Sequence, residues 1–252
     1  MSRIDDRIKQ GSVFRVTAIM ESLTEEPFSM SVRDIEDRTG IPRSTAHRIL
    51  SSLEGVGWVN QDQSTGGFRP GLRFLMLSNK SSYYDELVKA AGPVMTSLMN
   101  ETGCTSVLSV AEGPIGLCVH SVEPPSPMKF TAHRGMSIPL HAGATGKILL
   151  AYSSPEVRTE VLSSPLHSPI DGSEVDRAAL EEELVRVREA GYAFSREEWM
   201  KHAGDISVPV FNGKREFIAQ IGVAGFAETV FQAFDDSLRL LKRAALSLEN
   251  SF

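Results

Sequence analysis

The sequence predicts an α+β protein of two domains, on three observations. Between Gly11 and Val56, apolar residues recur at helical spacing in three short runs, with a glycine stop at Gly40. After Gly57 the pattern changes to short extended pieces on either side of Ser64-Thr65-Gly66-Gly67. From Thr105 onward strand candidates mix with helix candidates, which suggests one antiparallel sheet with helices packed on it. A chain of 252 residues has room for two ordinary domains.

Composition narrows the classes further. The apolar fraction of 41% and charged fraction of 23% are those of a soluble globular protein, and no apolar run reaches the roughly 18 residues a membrane span needs. The first ten residues are charged and lack an apolar centre, so no secretory leader is expected. Two cysteines, Cys104 and Cys118, make no disulfide framework and fit a reduced, cytoplasmic protein. The net charge of −6 is unevenly spread: residues 1–80 carry 11 Lys/Arg against 10 Asp/Glu, and the acid excess lies in the remainder. Between Gly40 and Leu53 stand two arginines, a histidine and no acid.

Taken in order, Gly11 to Leu23 reads as a helix with Val13, Val16, Ile19, Met20 and Leu23 on its apolar face, followed by a connection from Glu25 to Met30. Ser31 can cap the next helix by accepting from the Asp34 amide, and Gly40 ends it. Pro42 stands where a helix tolerates a missing N–H. The third helix then buries Ala46, Ile49, Leu50, Leu53 and Val56, and turns Arg43, Ser44, Thr45, His47, Arg48 and Ser51 outward. Helix, glycine turn, and a helix whose outer face offers hydroxyls, an imidazole and positive charge make the pattern of a helix-turn-helix. The extended pieces Trp58–Asn60 and Phe68–Arg69 read as a β-hairpin wing, with Arg69 placed to reach a phosphate. The expected DNA-facing residues are Ser31, Arg43, Ser44, Thr45, His47, Arg48, Ser51 and Arg69. A local positive face serves this purpose in an acidic protein, and a good Arg–guanine pair discriminates by about 1–3 kcal/mol.

The expected boundaries are 9–73 for this domain, 74–86 for a linker and 87–252 for the second domain. Within the latter, Asp85 to Glu101 reads as a long helix ended by Gly103, and Thr105–Ala111 and Ile115–Val122 as strands. His141–Tyr152 reads as a helix opening on small residues, and Ser173–Ala190 as an acidic amphipathic helix with Val175, Leu180, Leu184 and Val187 inward. Ile206–Phe211 and Phe217–Ala224 pair across Asn212-Gly213, and Phe234–Leu248 closes the chain as a helix.

The run IPRSTAHRILSSLEGVGWV followed by GGFRPG resembles the N-terminal winged helix-turn-helix of the IclR family of bacterial transcriptional regulators. IPLHAGATGKILLAY, GYAFSREE and ISVPVFNGKREFIAQIGVAG resemble that family's effector-binding domain, in the same order along the chain. The resemblance implies a GAF-like, mixed α/β second domain that binds a small effector, and a homodimer or homotetramer on a double-stranded DNA operator. It implies effector contacts from Ile138, Ala144, Thr145, Ser195, Asp205, Gly222 and Ala224, and Phe130 is expected beside them as a further contact. Asp205 stands where some members have cysteine, Ser195 where an acidic residue is known, and Gly222 and Ala224 where members that bind small oxo-acids have two serines. With two hydroxyls absent, and Met128, Trp199 and Met200 expected near Phe130, the expected effector is an organic acid, aromatic or otherwise bulky.

Other chemistries fit less well. Gly143-Ala144-Thr145-Gly146-Lys147 lacks the first glycine and final hydroxyl of a phosphate loop, and reads instead as a helix start whose amides a ligand can approach. Cys104 and Cys118 lie in apolar strands and read as core. His120, His141, His202 and Asp205 follow no metal-ligand spacing, so no metal or cofactor is expected. No nucleophile–base or paired-carboxylate arrangement stands out, and an enzyme is not expected. Two other readings stand beside the regulator: an oligomeric DNA-binding protein with a vestigial pocket, and a ligand-binding enzyme with an N-terminal interaction module.

Overall fold

The computed structural model describes residues 11–24, 29–78 and 84–249. The described residues divide into two compact units between Ser78 and Tyr84. The expected connection at 25–28 and linker residues 79–83 lie outside them.

The first unit holds α1 (Ser12–Ser22), α2 (Val32–Thr39), α3 (Arg43–Gly55), β1 (Val59–Gln61), β2 (Phe68–Pro70) and α4 (Arg73–Ser78). Its core joins Ile19 and Leu23 of the α1 region, Ile35 of α2, Ala46 and Leu50 of α3, and Val59 and Phe68 of the wing. Two expected core residues lie elsewhere. Val56 is 52% exposed because α3 ends at Gly55, one residue before it, and Val13 in the first turn of α1 is also exposed. The wing strands are antiparallel, with Asn60 opposite Arg69. Phe68 also exchanges backbone hydrogen bonds with Met30 (2.8 and 2.9 Å), so a residue two positions before α2 extends the wing.

The second unit runs α5 (Asp85–Thr102), β3 (Thr105–Glu112), β4 (Ile115–Val122), β5 (Ser137–Ile138), α6 (Gly143–Tyr152), α7 (Pro155–Ser163), α8 (Arg177–Ala190), β6 (Ala193–Arg196), β7 (Ala203–Phe211), β8 (Phe217–Phe226), α9 (Ala227–Gln232) and α10 (Phe234–Glu249). Its six-stranded sheet has the order β5-β4-β3-β8-β7-β6, and every pairing is antiparallel. The sequence did not lead us to expect α7, α9, β5 and β6. The acidic helix α8 also starts later than expected, at Arg177, because Asp176 caps it through the Ala179 amide at 3.1 Å; Val175 precedes it.

Strand alternation gives the sheet two unlike faces. One face is apolar: Leu108, Val110, Ile206, Val208, Val210, Ile221 and Val223 pack with Leu87, Met95 and Leu98 of α5 and Leu241 and Leu248 of α10. The other carries buried polar residues, including Ser109, Ser207 and Gln220, beneath α6. Behind α6, Ile148, Leu149 and Leu150 form a second core with Leu180, Leu184 and Val187 of α8. A register shift between Leu108 and Ser109 sets Ser109 opposite Cys118 and keeps both on the polar face.

Candidate nucleic-acid interface and ligand cavity

The helix-turn-helix is held by local hydrogen bonds at each joint. Ser31 Oγ accepts from the Asp34 amide (3.2 Å) while Asp34 Oδ2 accepts from the Ser31 amide (2.9 Å), a capping box; the Ser31 hydroxyl first, and then its amide, donate to the carboxylate and hold Asp34 below its ordinary pKa. Ser31's hydroxyl also donates to Asp34 (2.6 Å), so this expected DNA-facing residue is engaged as a helix cap. Gly40, at φ 69°, takes the left-handed turn that ends α2, a conformation that costs a side-chain-bearing residue. Pro42 precedes α3 and offers no side-chain cap. Glu36 supplies it instead: Oε1 accepts from the Arg43 amide (3.2 Å) and Oε2 from Arg43 Nε (2.5 Å). Sequence spacing gave no sign of this role, which depends on how α2 and α3 cross.

Along α3, Ser44, His47, Arg48 and Ser51 are exposed and Thr45 is half-buried. Among the described residues Arg48 has no carboxylate partner, whereas Arg43 is exposed but tied to Glu36. Ser51 Oγ lies 3.5 Å from His47 Nδ1. In the wing, Asp62 Oδ1 accepts from the Ser64 and Thr65 amides (2.8 and 3.2 Å), which fixes the turn and leaves Arg69 exposed beside it.

In the second unit a cavity opens between the polar face of the sheet, the start of α6 and the 130–138 and 199–200 segments. Phe130, Ile138, Thr145, Ser195, Asp205 and Ala224 line it, as do Trp199 and Met200. Met128 is exposed and does not. The lining further includes Val107, Ser109, Cys118, Met136, Ala203 and Gly204. The alternation of β3 held a signal for Val107 and Ser109, but only the strand order brings them to this cavity. The cavity is tight, about 30 Å³, room for one or two waters. Phe130 and Trp199, with ring centroids 6.2 Å apart, fill one side of it.

Two expected contact residues lie elsewhere. Gly222 is opposite Ser207 and Val107 on the polar face, and a Cβ there would lie 2.4 Å from Ser207 Oγ and 2.5 Å from Gln220 Nε2. The space left by its missing side chain is therefore filled by two protein side chains and does not enlarge the cavity. Ala144 meets the cavity floor only through its amide, which donates to Asp205 Oδ1 (3.1 Å).

That bond belongs to a larger arrangement. Asp205 Oδ2 accepts from the Thr145 amide (3.0 Å) and hydroxyl (3.3 Å), and Ser195 Oγ donates to Oδ1. The Gly143 amide donates to Glu198 (3.2 Å). The first amides of α6, anticipated as open to a ligand, are thus occupied by carboxylates of the protein itself, which also suit the positive end of the helix dipole. From Thr145 a polar chain continues to Ser207 Oγ (3.2 Å) and Gln220 Nε2 (2.8 Å from Ser207), while Ser109 Oγ and Gln220 Oε1 have no partner among the described residues. Lys147, 3% exposed, lies 2.7 Å from both Glu183 and Glu198, and acts as a tie between helices in place of a phosphate ligand. Cys118 is buried, and burial pushes its thiol up to about 11. His141, His202 and Asp205 have separate partners, and no group of three or more potential metal ligands gathers among the described residues.

A winged helix-turn-helix followed by an α+β unit with a mostly apolar cavity defines a ligand-responsive DNA-binding regulator. Residues 12–63 match the IclR helix-turn-helix domain, and residues 82–250 match the bacterial transcriptional regulator IclR C-terminal domain. The chain belongs to the IclR family of bacterial transcriptional regulators. Among its relatives, the HTH-type transcriptional regulator Rv1719 of Mycobacterium tuberculosis is 33% identical over 74% of this chain and 71% of its own. The DNA-binding transcriptional repressor YiaJ of Escherichia coli is 29% identical over 80% of this chain and 73% of its own. An IclR homolog from Microbacterium hydrocarbonoxydans, crystallised with 4-hydroxybenzoate, superposes with a TM-score of 0.78 at 27% identity, covering 96% of this chain and 98% of that one. An IclR-type regulator from Silicibacter shares the fold at a TM-score of 0.82 and 24% identity, covering 95% of each chain. No described helix is long and apolar enough to cross a membrane.

Proposed function

We propose that α3 docks in the major groove of an operator, and that a small organic effector in the cavity of the second unit changes the affinity of that docking. The observation that carries the DNA half is the exposed outer face of α3, where Ser44, His47, Arg48 and Ser51 present donors and positive charge with no acid among them. Arg48 and Arg69 contact DNA directly, Ser44 and Thr45 take phosphate at the helix start, and Arg43 acts from its bond to Glu36. Two copies of the chain, as a homodimer or homotetramer, place their helices on half-sites about 34 Å or a multiple apart. The protein works in the cytoplasm as a binding protein, not an enzyme, and represses, as its relative YiaJ is named to do.

The effector half is supported by the apolar lining of the cavity and by the relative crystallised with 4-hydroxybenzoate. An aromatic ring fits beside Phe130 and Trp199 once these side chains turn aside. Effector and operator affinities are then coupled reciprocally. Fluorescence anisotropy on duplex DNA from upstream of the protein's own gene tests the reading. Log affinity should fall linearly with log salt by about 0.9 per phosphate neutralised. Absence of binding at low salt, or binding indifferent to salt, would refute it. The small volume of the cavity favours one other reading, an oligomeric regulator whose pocket takes no ligand. A thermal-shift screen with aromatic compounds in which nothing stabilises the protein would decide for it.

A further inference from the structure

The charge of the cavity points to a class of ligand. Its lining holds one charged residue, Asp205, and no lysine, arginine or histidine. A ligand carboxylate bound deep in it would therefore meet a fixed negative charge without a counter-charge, in a site that excludes most water. Nor are the first amides of α6 free to receive it. The Ala144 and Thr145 amides are spent on Asp205 and the Gly143 amide on Glu198, so the positive end of α6 already holds its anion. Asp205 itself has all four of its acceptor positions filled, by two amides and the hydroxyls of Thr145 and Ser195.

Among the described residues, one fully buried side-chain polar atom of the lining is uncommitted. Ser109 Oγ is fully buried on the cavity wall and has no hydrogen-bond partner among the described residues. A buried hydroxyl without a partner is costly, and a ligand group that bonds to it recovers that cost. We infer that the buried end of the cavity takes an uncharged aromatic molecule, hydrogen-bonded by the Ser109 hydroxyl, and rejects a carboxylate. This rests on the reading of the cavity as the effector site.

Benzoate and benzamide differ in charge at nearly constant shape, and their affinities for the full chain at pH 7, by titration calorimetry, test the inference. Benzamide should bind at least about thirtyfold more tightly, given the like-charge repulsion expected at short range. Ser109→Ala should weaken benzamide by about two- to tenfold, the worth of one hydrogen bond, and leave benzoate unchanged. Ala224→Leu and Ala224→Trp, which fill the cavity by degrees, should weaken and then abolish benzamide binding, each variant's folding being checked by its unfolding temperature. Benzoate binding as tightly as benzamide, or a Ser109→Ala variant that binds benzamide as the parent does, overturns the inference and leaves the effector cavity standing. Failure of both compounds to bind, or benzamide binding untouched by Ala224→Trp, overturns the effector cavity and the inference with it.

Discussion

Thr145 meets Asp205 twice: its backbone amide and its hydroxyl lie 3.0 and 3.3 Å from the same carboxylate oxygen. The two residues are 60 apart in sequence and join the start of α6 to β7. Replacing Asp205 with alanine strands the Ala144 and Thr145 amides and the Ser195 hydroxyl together. The expected loss is about 2–4 kcal/mol, since hydrogen bonds to a charged group are each worth about 1.5–3 and part of the loss is recovered by water. Asp205→Asn should fall between the parent and the alanine variant, because one oxygen still accepts. Urea unfolding followed by circular dichroism checks the order of the three midpoints.

Arg48 on α3 has no carboxylate partner among the described residues, while Lys201 lies in the other unit. Arg48→Ala should weaken operator binding about tenfold or more, the range of one good base or phosphate contact, and Lys201→Ala should change it little. Anisotropy titrations over a range of salt read both effects. A smaller salt slope for Arg48→Ala would assign it to a phosphate, and an unchanged slope with relaxed sequence preference to a base. Equal affinities for the two variants would count against the interface.

Glu36 caps a helix of which it is not part. Glu36→Ala removes both its bond to the Arg43 amide and its hold on the Arg43 side chain. The loss of a cap costs about 0.5–2 kcal/mol, and the exposed ion pair adds little to that. The freed Arg43 should also weaken discrimination between operator and unrelated DNA more than it weakens affinity for DNA in general. Competition binding against random duplex measures the ratio, and an unchanged ratio would assign Glu36 a role in stability alone.

Lys147 is buried, but its partners Glu183 and Glu198 are about one-third exposed at their side chains. The two sides of this triad therefore differ in what their loss leaves behind. Lys147→Met leaves two carboxylates that water can reach, and should cost about 1–3 kcal/mol. The double variant Glu183→Gln/Glu198→Gln leaves a buried ammonium without a counter-charge, and should cost more, about 3–5 kcal/mol. Thermal unfolding of both variants at pH 7 tests the inequality.

Burial raises the Cys118 thiol from 9.0 to about 11. At pH 8 the folded protein should therefore react slowly with iodoacetamide at this residue, and quickly once urea unfolds it. The sign for stability follows. Between pH 9 and about 11 the unfolded chain gives up this proton while the folded one keeps it. The group's contribution is thus whole below pH 9 and declines as pH rises toward 11. Cys118→Ser, which has no such titration, should show a shallower fall of unfolding temperature across that range.

The sequence by itself determined the elements whose causes are local. Ser31 and Asp34 are three residues apart, Gly40 ends α2 by its own backbone freedom, and the turn at Ser64 to Gly67 is fixed by the nearby Asp62. The polar outer face of α3 and the paired strands β7 and β8 were equally legible, because helical and strand periods fix which residues share a side. Tertiary structure decided what depends on two distant segments meeting. It filled the α6 amides with Asp205, laid Ser207 and Gln220 over Gly222, and set Lys147 between two glutamates and Glu36 against Arg43. Periodicity states that a residue faces inward, but not which atom it will meet there. That is set by strand order and helix crossing, and so the cavity's charge could be read only once β7 lay beneath the start of α6.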